Sequence, residues 1–376
     1  MIKIGINKVM LILLLAVFIP FIIIPVAFIY ETDLSIYFIP KTEFYNFYLF
    51  SFIYSIFAIV LAFLLFKIHN KEILPTWLEV LKFGFGLLWI IDGVLQFQPQ
   101  MPYGFLNEVI LPTITSISNG GIESFLMLGY NLWKINPIQF DAISGALQIF
   151  LGVSFLINSN RKALRFTAAL AIFWSLVIWI FGEGFGGIPD QGVSLLVGFP
   201  GSASIYIIGA LPFFFVKYGN RTNYKVLLKY SIGSIFAIGA VLQLIPGNTY
   251  WTTGQLAFDI YMNIFNQGEN PLLARMLSIS SNLLLYNEAI LNVFFSLLFA
   301  TSSLTILYGI RKLYFLPAIL TGFFWVFFQD MGIYISPATD LNTGFPLLLI
   351  LLVFYILVFY EKWGASDSKR TVSELS

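Results

Sequence analysis

The chain has 376 residues, of which 59% are hydrophobic and only 10% are charged, and its formal net charge is +1. A soluble protein of this length needs more charged residues to cover its surface, and the composition therefore predicts an integral membrane protein. Because backbone polar groups in lipid must bond within the protein, we expect an all-α fold. The near-zero net charge and scattered basic residues give no reason to expect a nucleic-acid partner. With no cysteine and one histidine, we expect no metal site and no covalently bound cofactor.

Ten apolar segments along the chain predict membrane-crossing helices, because a helix needs about 20 apolar residues to cross the hydrocarbon core. In chain order the predicted spans are Val9–Ile29, Phe47–Lys67, Val80–Phe97, Ile138–Ile157, Leu164–Phe181, Ser202–Lys217, Leu228–Ile245, Tyr286–Tyr308, Leu313–Phe328 and Phe345–Tyr360. We interpret the first span as an uncleaved helix, since no small-residue cleavage site follows it.

Basic residues lie almost entirely on one side of this ten-span map. Of the 20 Lys and Arg residues, only Lys41, Lys134 and Arg275 fall on the other side. Because short cytoplasmic loops are enriched in Lys and Arg, this asymmetry predicts a multi-pass protein of the cell (plasma) membrane with both termini in the cytoplasm.

Residues 79–361 contain what looks like one four-helix unit written twice. Val94-Leu95-Gln96 with Pro99 returns 147 positions later as Val241-Leu242-Gln243 with Pro246, and Trp179, Phe181 and Gly186 return 146 positions later as Trp325, Phe327 and Gly332. Two distant landmarks that keep the same offset to within one residue indicate a duplicated unit rather than a chance match.

The repeat predicts three regions. They are an N-terminal two-helix extension over residues 1–74, a first four-helix repeat over residues 75–219, and a second four-helix repeat over residues 220–376 that ends in a short cytoplasmic tail. Because each repeat has an even number of spans, the two copies are parallel. A long outer segment in each repeat, Gln98–Pro137 or Pro246–Leu285, is expected to break into two short helices. The predicted breaks are Gly120-Gly121 in the first repeat and Gly268-Glu269-Asn270-Pro271 in the second.

Polar side chains within the spans or at their ends form a candidate site whose catalytic roles are unassigned. The cluster consists of Asp92, Gln96, Gln98, Gln148, Glu183, Gln243, Asp259 and Asp330. Placing a charged group in hydrocarbon costs free energy, so an ionisable residue within a span, such as Asp92, favours the hypothesis of a functional role. We expect Gln255, Asp340 and Asn342 to lie around this cluster as well. For the glutamines, Asp330, Asp340 and Asn342, the alternative is that they bond to one another, cap helix ends and hold the repeats together.

Asp92 and Glu183 could act as a pair of proton acceptors beside a polar head group such as a quinol hydroxyl. Gly239 stands at the repeat-equivalent position of Asp92, which favours a functional role for this carboxylate over a structural one. The expected apolar walls of the site are Trp89, Trp174, Trp179, Phe83, Phe85 and Phe97.

Each repeat resembles the DoxX/DoxD family of small four-helix membrane proteins. In that family a basic residue precedes a glycine-studded span, an acidic residue opens the next span, and a short basic turn follows. The first repeat has Lys82, Asp141 and Asn160-Arg161-Lys162-Ala163 at these places, whereas the second keeps Lys229 and Arg311-Lys312 but has Glu288 or Asn292 for the acidic residue. The chain is also similar to uncharacterised ten-span proteins with an Asp-Gly-x-Leu-Gln-x-Gln-Pro stretch.

The family resemblance implies membrane redox chemistry, including thiosulfate oxidation coupled to quinone. It favours an accessory subunit of a quinone-linked respiratory or sulfur-oxidising complex, without its own haem or metal. Two alternatives remain open: a quinone-reactive enzyme subunit using Asp92 and Glu183, and a transporter for protons, cations or a small solute. The expected partners are the lipid bilayer and other respiratory or redox subunits, and quinone is the cofactor that the resemblance suggests.

Overall fold

The computed structural model describes residues 41–66, 74–158, 160–188, 193–215, 221–246, 249–251, 254–266, 271–285, 287–332 and 337–360. All regular structure in these ranges is helical. The α-helices are α1 (Lys41–Phe66), α2 (Thr76–Leu95), α3 (Met101–Gly104), α4 (Leu111–Thr115), α5 (Gly120–Lys134), α6 (Pro137–Ile157), α7 (Arg161–Val177), α8 (Ser202–Phe215), α9 (Arg221–Leu244), α10 (Gln255–Asn266), α11 (Pro271–Leu285), α12 (Glu288–Tyr308), α13 (Phe315–Phe327) and α14 (Gly344–Tyr355). The π-helical segments are Phe105–Ile110, Ile178–Gly182 and Ile356–Tyr360, and the 3-10 turns are Thr249–Trp251, Arg311–Leu313 and Asp330–Gly332.

Five helices in the described ranges are long and apolar enough to cross a membrane. They are α1, α6, α7 with its π-helical extension, α9 and α12, and each coincides with a predicted span. Helix α2 has 20 residues but contains Glu79, Lys82 and Asp92, and α8, α13 and α14 are shorter. The predicted span Val9–Ile29, residues 268–270 of the predicted second break, and the tail from residue 361 onward lie outside the described residues. An all-helical membrane protein is therefore the fold class that the structure supports.

Close packing between α2 and α6 depends on glycine, as is common between helices in membranes. A Cβ atom on Gly152 would lie 2.6 Å from the carbonyl oxygen of Gly86, and one on Gly93 would lie 2.8 Å from the carbonyl oxygen of Gly145. The two backbones therefore meet at two levels, which holds Asp92 beside α6. Helices α9 and α12 form a second closely packed pair.

The outer segment after α2 forms α3, a π-helical segment, α4 and then α5. The break before α5 lies at Ser116–Asn119, not at the predicted Gly120-Gly121. Asn119 is the reason, because its Oδ1 accepts hydrogen bonds from the N–H groups of Gly121 and Ile122 and so starts α5 at Gly120.

Two extended loops connect the halves of the described chain through glutamine side chains. The loop over residues 337–343, between α13 and α14, accepts hydrogen bonds from the Nε2 atoms of Gln96 (to the Thr339 carbonyl, 3.2 Å) and Gln98 (to the Ala338 carbonyl, 2.7 Å). The loop over residues 193–201, before α8, accepts bonds from Gln329 Nε2 at the carbonyls of residues 195 and 196. The first of these loops therefore lies against the end of α2.

Candidate functional site

A cavity of about 690 Å³ lies between α2, α5, α6, α7 and α8. Its aromatic walls are Trp89, Phe105, Trp133, Phe140, Trp174, Phe181 and Tyr206. Its carboxylates are Asp92, Glu183 and Asp340, and its amides are Gln96, Gln148 and Asn342. No Lys, Arg or His occurs among the described residues that line it.

Asp92 lies near the end of α2 and is only 4% exposed. The Tyr206 hydroxyl, from α8, donates a 2.5 Å hydrogen bond to its Oδ2, whereas Oδ1 has no hydrogen-bond partner in the described part of the chain. The Tyr206 ring packs edge-on against Trp89, with centroids 4.7 Å apart. A buried acceptor without a donor is destabilising, so Asp92 holds an oxygen that a bound donor would satisfy.

Glu183 lies directly after the π-helical extension of α7 and caps the start of α8. Its Oε1 accepts hydrogen bonds from the Ser202 hydroxyl at 2.7 Å and from the Ala203 N–H at 3.0 Å. A carboxylate at the N-terminus of a helix interacts favourably with the helix dipole. Its second oxygen, Oε2, is buried and accepts no hydrogen bond within the described ranges.

Asp340 comes to the same cavity from the loop that precedes α14. Its Oδ1 accepts a 2.6 Å bond from the Asn342 N–H, and its Oδ2 accepts a 3.2 Å bond from the Thr339 hydroxyl. Burial raises the pKa of Asp340. Burial, and then the charge of Asp340, raise the pKa of Glu183 to about 7, against the lowering effect of its bonds to Ser202 and Ala203. Glu183 therefore exchanges its proton near neutral pH.

Three indole N–H groups at the cavity lack acceptors. Trp89 Nε1, Trp133 Nε1 and Trp174 Nε1 are all buried atoms without a hydrogen-bond partner in the described ranges. Gln148 Oε1 is likewise an acceptor without a donor, and Gln148 is 4% exposed. Because buried polar groups in proteins are normally bonded, this concentration of unused donors and acceptors indicates a binding site for a polar group.

The open side of the cavity has an apolar rim. Leu128 and Leu132 of α5 line the cavity and are 63% and 57% exposed, and Ile143 of α6 also lines it and is 49% exposed. The rim lies between two helices rather than at a polar loop. The opening therefore faces an apolar surface of the protein.

The structure brings half of the predicted polar cluster together. Asp92, Gln96, Gln148 and Glu183 line this one cavity, and so do Trp89 and Trp174 of the predicted walls. The residues that do not line it are Gln98, Gln243, Asp259 and Asp330, with Trp179, Phe83, Phe85 and Phe97 of the predicted walls.

The remaining predicted residues have other contacts. Gln98 bonds to the backbone of Ala338, and Gln243 Oε1 accepts the Ser194 hydroxyl at 2.7 Å. Asp259 Oδ1 accepts a 2.6 Å bond from Gln255 Nε2, one turn earlier in α10. Asp330 is buried in the 3-10 turn after α13. These contacts match the structural alternative for the glutamines.

Ser202, Tyr206 and Trp133 belong to the site but are missing from the predicted cluster and its predicted walls. Asp340 and Asn342, which we expected near the cluster, line the cavity as well and come from the C-terminal half of the chain. One sequence signal was available: Ser202 and Tyr206 stand four residues apart, so they share a face of an otherwise apolar helix.

No group of three His, Cys, Asp or Glu side chains in the described ranges is arranged to hold a metal ion. The lining residues of the cavity offer hydrogen bonds, proton exchange and aromatic surface to a small molecule. In comparisons with known proteins, the chain matches no protein-family model, no curated protein and no solved structure.

Proposed function

We propose that this protein is an integral membrane subunit that binds a quinol or quinone head group in the cavity and accepts quinol protons on Asp92 and Glu183. The observation that carries the proposal is the unpaired Oδ1 of Asp92 beside Tyr206 in an aromatic cavity. Oxidation of a quinol releases two protons and two electrons. The protons go to the carboxylates, and the electrons go to a redox centre of a partner subunit, so the protein acts as the quinone-reactive subunit of a larger complex.

The chemistry of the head group supports this assignment. A quinol ring is flat and apolar, and it carries two hydroxyl donors that become carbonyl acceptors on oxidation. The unused oxygens of Asp92, Glu183 and Gln148 match the hydroxyl groups. The unused indole N–H groups of Trp89 and Trp174 match the carbonyl groups. The same cavity therefore has partners for both redox states of the ligand.

The apolar rim supports a lipid-soluble ligand. A quinone with a hydrocarbon tail moves within the bilayer, so it needs an opening that faces lipid rather than water. The exposed side chains of Leu128, Leu132 and Ile143 provide such an opening. A cavity of about 690 Å³ holds the ring while the tail extends past this rim.

We further propose ten spans with two duplicated four-helix units, and pairs of equivalent contacts support this architecture. Trp179 Nε1 donates to the Pro200 carbonyl, and Trp325 Nε1 donates to the Leu341 carbonyl, both at 2.8 Å. Equivalent glutamines of the two units each bond to the loop of the other unit. Gln96 donates to the Thr339 carbonyl in the second unit, and Gln243 accepts from the Ser194 hydroxyl in the first. Such reciprocal bonds are expected of duplicated units that face each other.

The duplication also separates structural from functional roles for the acids. At the offset of 146 residues, Gln329 corresponds to Glu183, and its Oε1 accepts the Gly344 N–H at 2.8 Å as Glu183 Oε1 accepts that of Ala203. An amide is therefore sufficient to cap this kind of helix. Asp92 likewise corresponds to Gly239, where an added Cβ would lie 3.0 Å from the Leu195 side chain. The architecture needs neither carboxylate, which supports a role in ligand chemistry.

A second candidate, transport of protons or of an organic cation, is favoured by a different observation. Three carboxylates line the cavity without a basic residue among its described lining. Aromatic faces beside carboxylates also suit an ammonium group. Uptake of an organic cation into liposomes, abolished by Asp92→Asn, would support this candidate over quinol binding.

Mass spectrometry of lipid extracts from the protein, purified in mild detergent, tests the quinol proposal. We expect a bound quinone, and we expect added quinol to change the fluorescence of the cavity tryptophans. Asp92→Asn should weaken quinol binding by about tenfold, the effect of one lost charge-assisted hydrogen bond. Gln243→Ala, which removes a buried polar side chain away from the cavity, serves as the matched control. Equal affinities of the two variants would contradict the assignment.

A further inference from the structure

A second cavity, of about 380 Å³, lies where α9 begins and α12 ends. It is lined by three basic residues, Lys225, Lys229 and Arg311, and by Ile306, Tyr308, Gly309, Phe354, Val358 and Phe359. Lys225 and Lys229 are one turn apart on α9 and are both half-buried. No carboxylate occurs among the described lining residues.

None of the three basic side chains forms an ion pair with an acidic residue in the described ranges. The ion pair in the described ranges involves a different lysine. Lys82 Nζ lies 3.0 Å from Glu79 Oε2 and donates a 3.0 Å hydrogen bond to the Asn158 carbonyl. Lys82 corresponds to Lys229 at the offset of 147 residues. The lysine is therefore neutralised by a carboxylate in the first half, whereas the equivalent Lys229 forms no such ion pair in the described ranges. Three positive charges around one cavity repel one another, and an anion would relieve this repulsion.

The remaining walls indicate what kind of anion fits. The Arg311 Cζ atom lies 5.6 Å from the centroid of the Phe359 ring, and Phe354 and Val358 are buried apolar side chains that line the same cavity. Tyr308, which is 78% exposed, offers a hydroxyl at the edge. A phosphate group satisfies the basic side chains, and a hydrocarbon chain attached to it satisfies the apolar walls.

We propose that this cavity binds a phosphate group, and that its source is the head group of an anionic phospholipid. Basic pockets between membrane helices are suited to phospholipid head groups, and the half-buried position of Lys225 and Lys229 reduces the screening of their charges. The site is separate from the aromatic cavity, since the two share no lining residue.

Native mass spectrometry in detergent tests the proposal, with phosphatidylglycerol and phosphatidylcholine as probes. The intact protein should retain phosphatidylglycerol at least about tenfold more tightly than phosphatidylcholine. A variant with Lys225→Gln, Lys229→Gln and Arg311→Gln should lose this preference. Lys312→Gln, which removes an exposed charge next to Arg311 but not from the cavity, should keep it.

Two results would overturn the lipid assignment. One is equal retention of both lipids by the intact protein or an unchanged preference in the triple variant. The other is displacement of phosphatidylglycerol by an equimolar amount of inorganic phosphate, which would identify a soluble phosphate as the ligand. If the triple variant does not fold, the single variant Arg311→Gln replaces it, because this side chain is exposed and its loss leaves the helices intact.

Discussion

The hydroxyl group of Tyr206 donates a 2.5 Å hydrogen bond to Oδ2 of Asp92 and thereby joins α8 to α2 inside the aromatic cavity. The Tyr206 ring is itself held edge-on between Trp89 and Phe85, with centroid distances of 4.7 and 5.3 Å. Because the bond fixes one carboxylate oxygen, it also fixes the position of the other. Asp92 therefore presents a proton acceptor in a defined orientation.

Replacing Tyr206 with Phe should distinguish the effect of the hydroxyl group from the effect of the ring packing. The aromatic contacts remain, but Asp92 loses its donor, so the unfolding free energy should fall by about 1–3 kcal/mol. Quinol affinity should fall as well, because Oδ1 is no longer held in place. Denaturant titration in detergent and tryptophan fluorescence measure the two effects.

Tyr314→Phe is the matched control for this change. Tyr314 is a buried tyrosine whose hydroxyl donates to the Leu351 carbonyl at 3.1 Å, and it lines neither cavity. It should lose a similar amount of stability and keep its quinol affinity. A control variant with reduced affinity would show that affinity reports only on general stability.

The sequence predicted the five helices that are long and apolar enough to cross a membrane, because continuous apolar runs are local signals. Helix α6, for example, was predicted at Ile138–Ile157 and extends over Pro137–Ile157. The sequence also placed Asp92, Gln96, Gln148 and Glu183 in one cluster, since they lie within or at the ends of neighbouring spans.

The rest of the site depends on contacts between distant parts of the chain. Asp340 reaches the cavity because Gln96 and Gln98 bind the loop that carries it, more than 200 residues away. Asp340 was expected near the cluster, but no periodicity in the sequence predicts these two bonds. Tyr206 was missed because its partner Asp92 lies 114 residues earlier. Conversely, Gln243 has the features of a site residue in the sequence but bonds to Ser194.

The pKa of Glu183, about 7, predicts how ligand binding depends on pH. A quinol hydroxyl donates to an ionised carboxylate more strongly than to a protonated one, so quinol affinity should rise as the pH increases from 6 to 8. In Glu183→Gln this rise should be much smaller. Gln329 shows that an amide caps the equivalent helix, so the variant should fold. Fluorescence titrations at a series of pH values test this, and an unchanged pH profile in Glu183→Gln would contradict it.

The same shift predicts a change of stability with the opposite sign. The pKa of Glu183 rises from an ordinary 4.5 to about 7, so between these values the folded protein binds more protons than the unfolded chain. Its unfolding free energy should therefore decrease as the pH rises from about 4.5 through 7. In Glu183→Gln the unfolding free energy should decrease less steeply with pH. Some decrease should remain, because the pKa of Asp340 is raised as well. Thermal unfolding in detergent at matched ionic strength measures both slopes.

A bulkier residue at the apolar rim should slow exchange of the ligand. Ile143 is 49% exposed, so Ile143→Trp narrows the opening without overfilling the core. The association and dissociation rates should both fall, by about tenfold, with little change in affinity. Stopped-flow fluorescence measures these rates. Leu297→Trp, on the exposed face of α12 and away from the cavity, should leave them unchanged; equal slowing in both would exclude this opening as the route of access.

Gln98→Ala should lower both the stability of the protein and its quinol affinity, because Gln98 binds the loop over residues 337–343. The Gln98 side chain both donates to the Ala338 carbonyl at 2.7 Å and accepts from its N–H at 3.3 Å, so its loss should reduce the unfolding free energy by about 1–3 kcal/mol. Because Asp340 lies two residues further along the same loop, quinol affinity should also fall. Gln243→Ala breaks the bond to Ser194 in the other loop and should lower stability without a comparable loss of affinity. Equal losses of affinity in the two variants would mean that the loop with Asp340 has no specific part in the site.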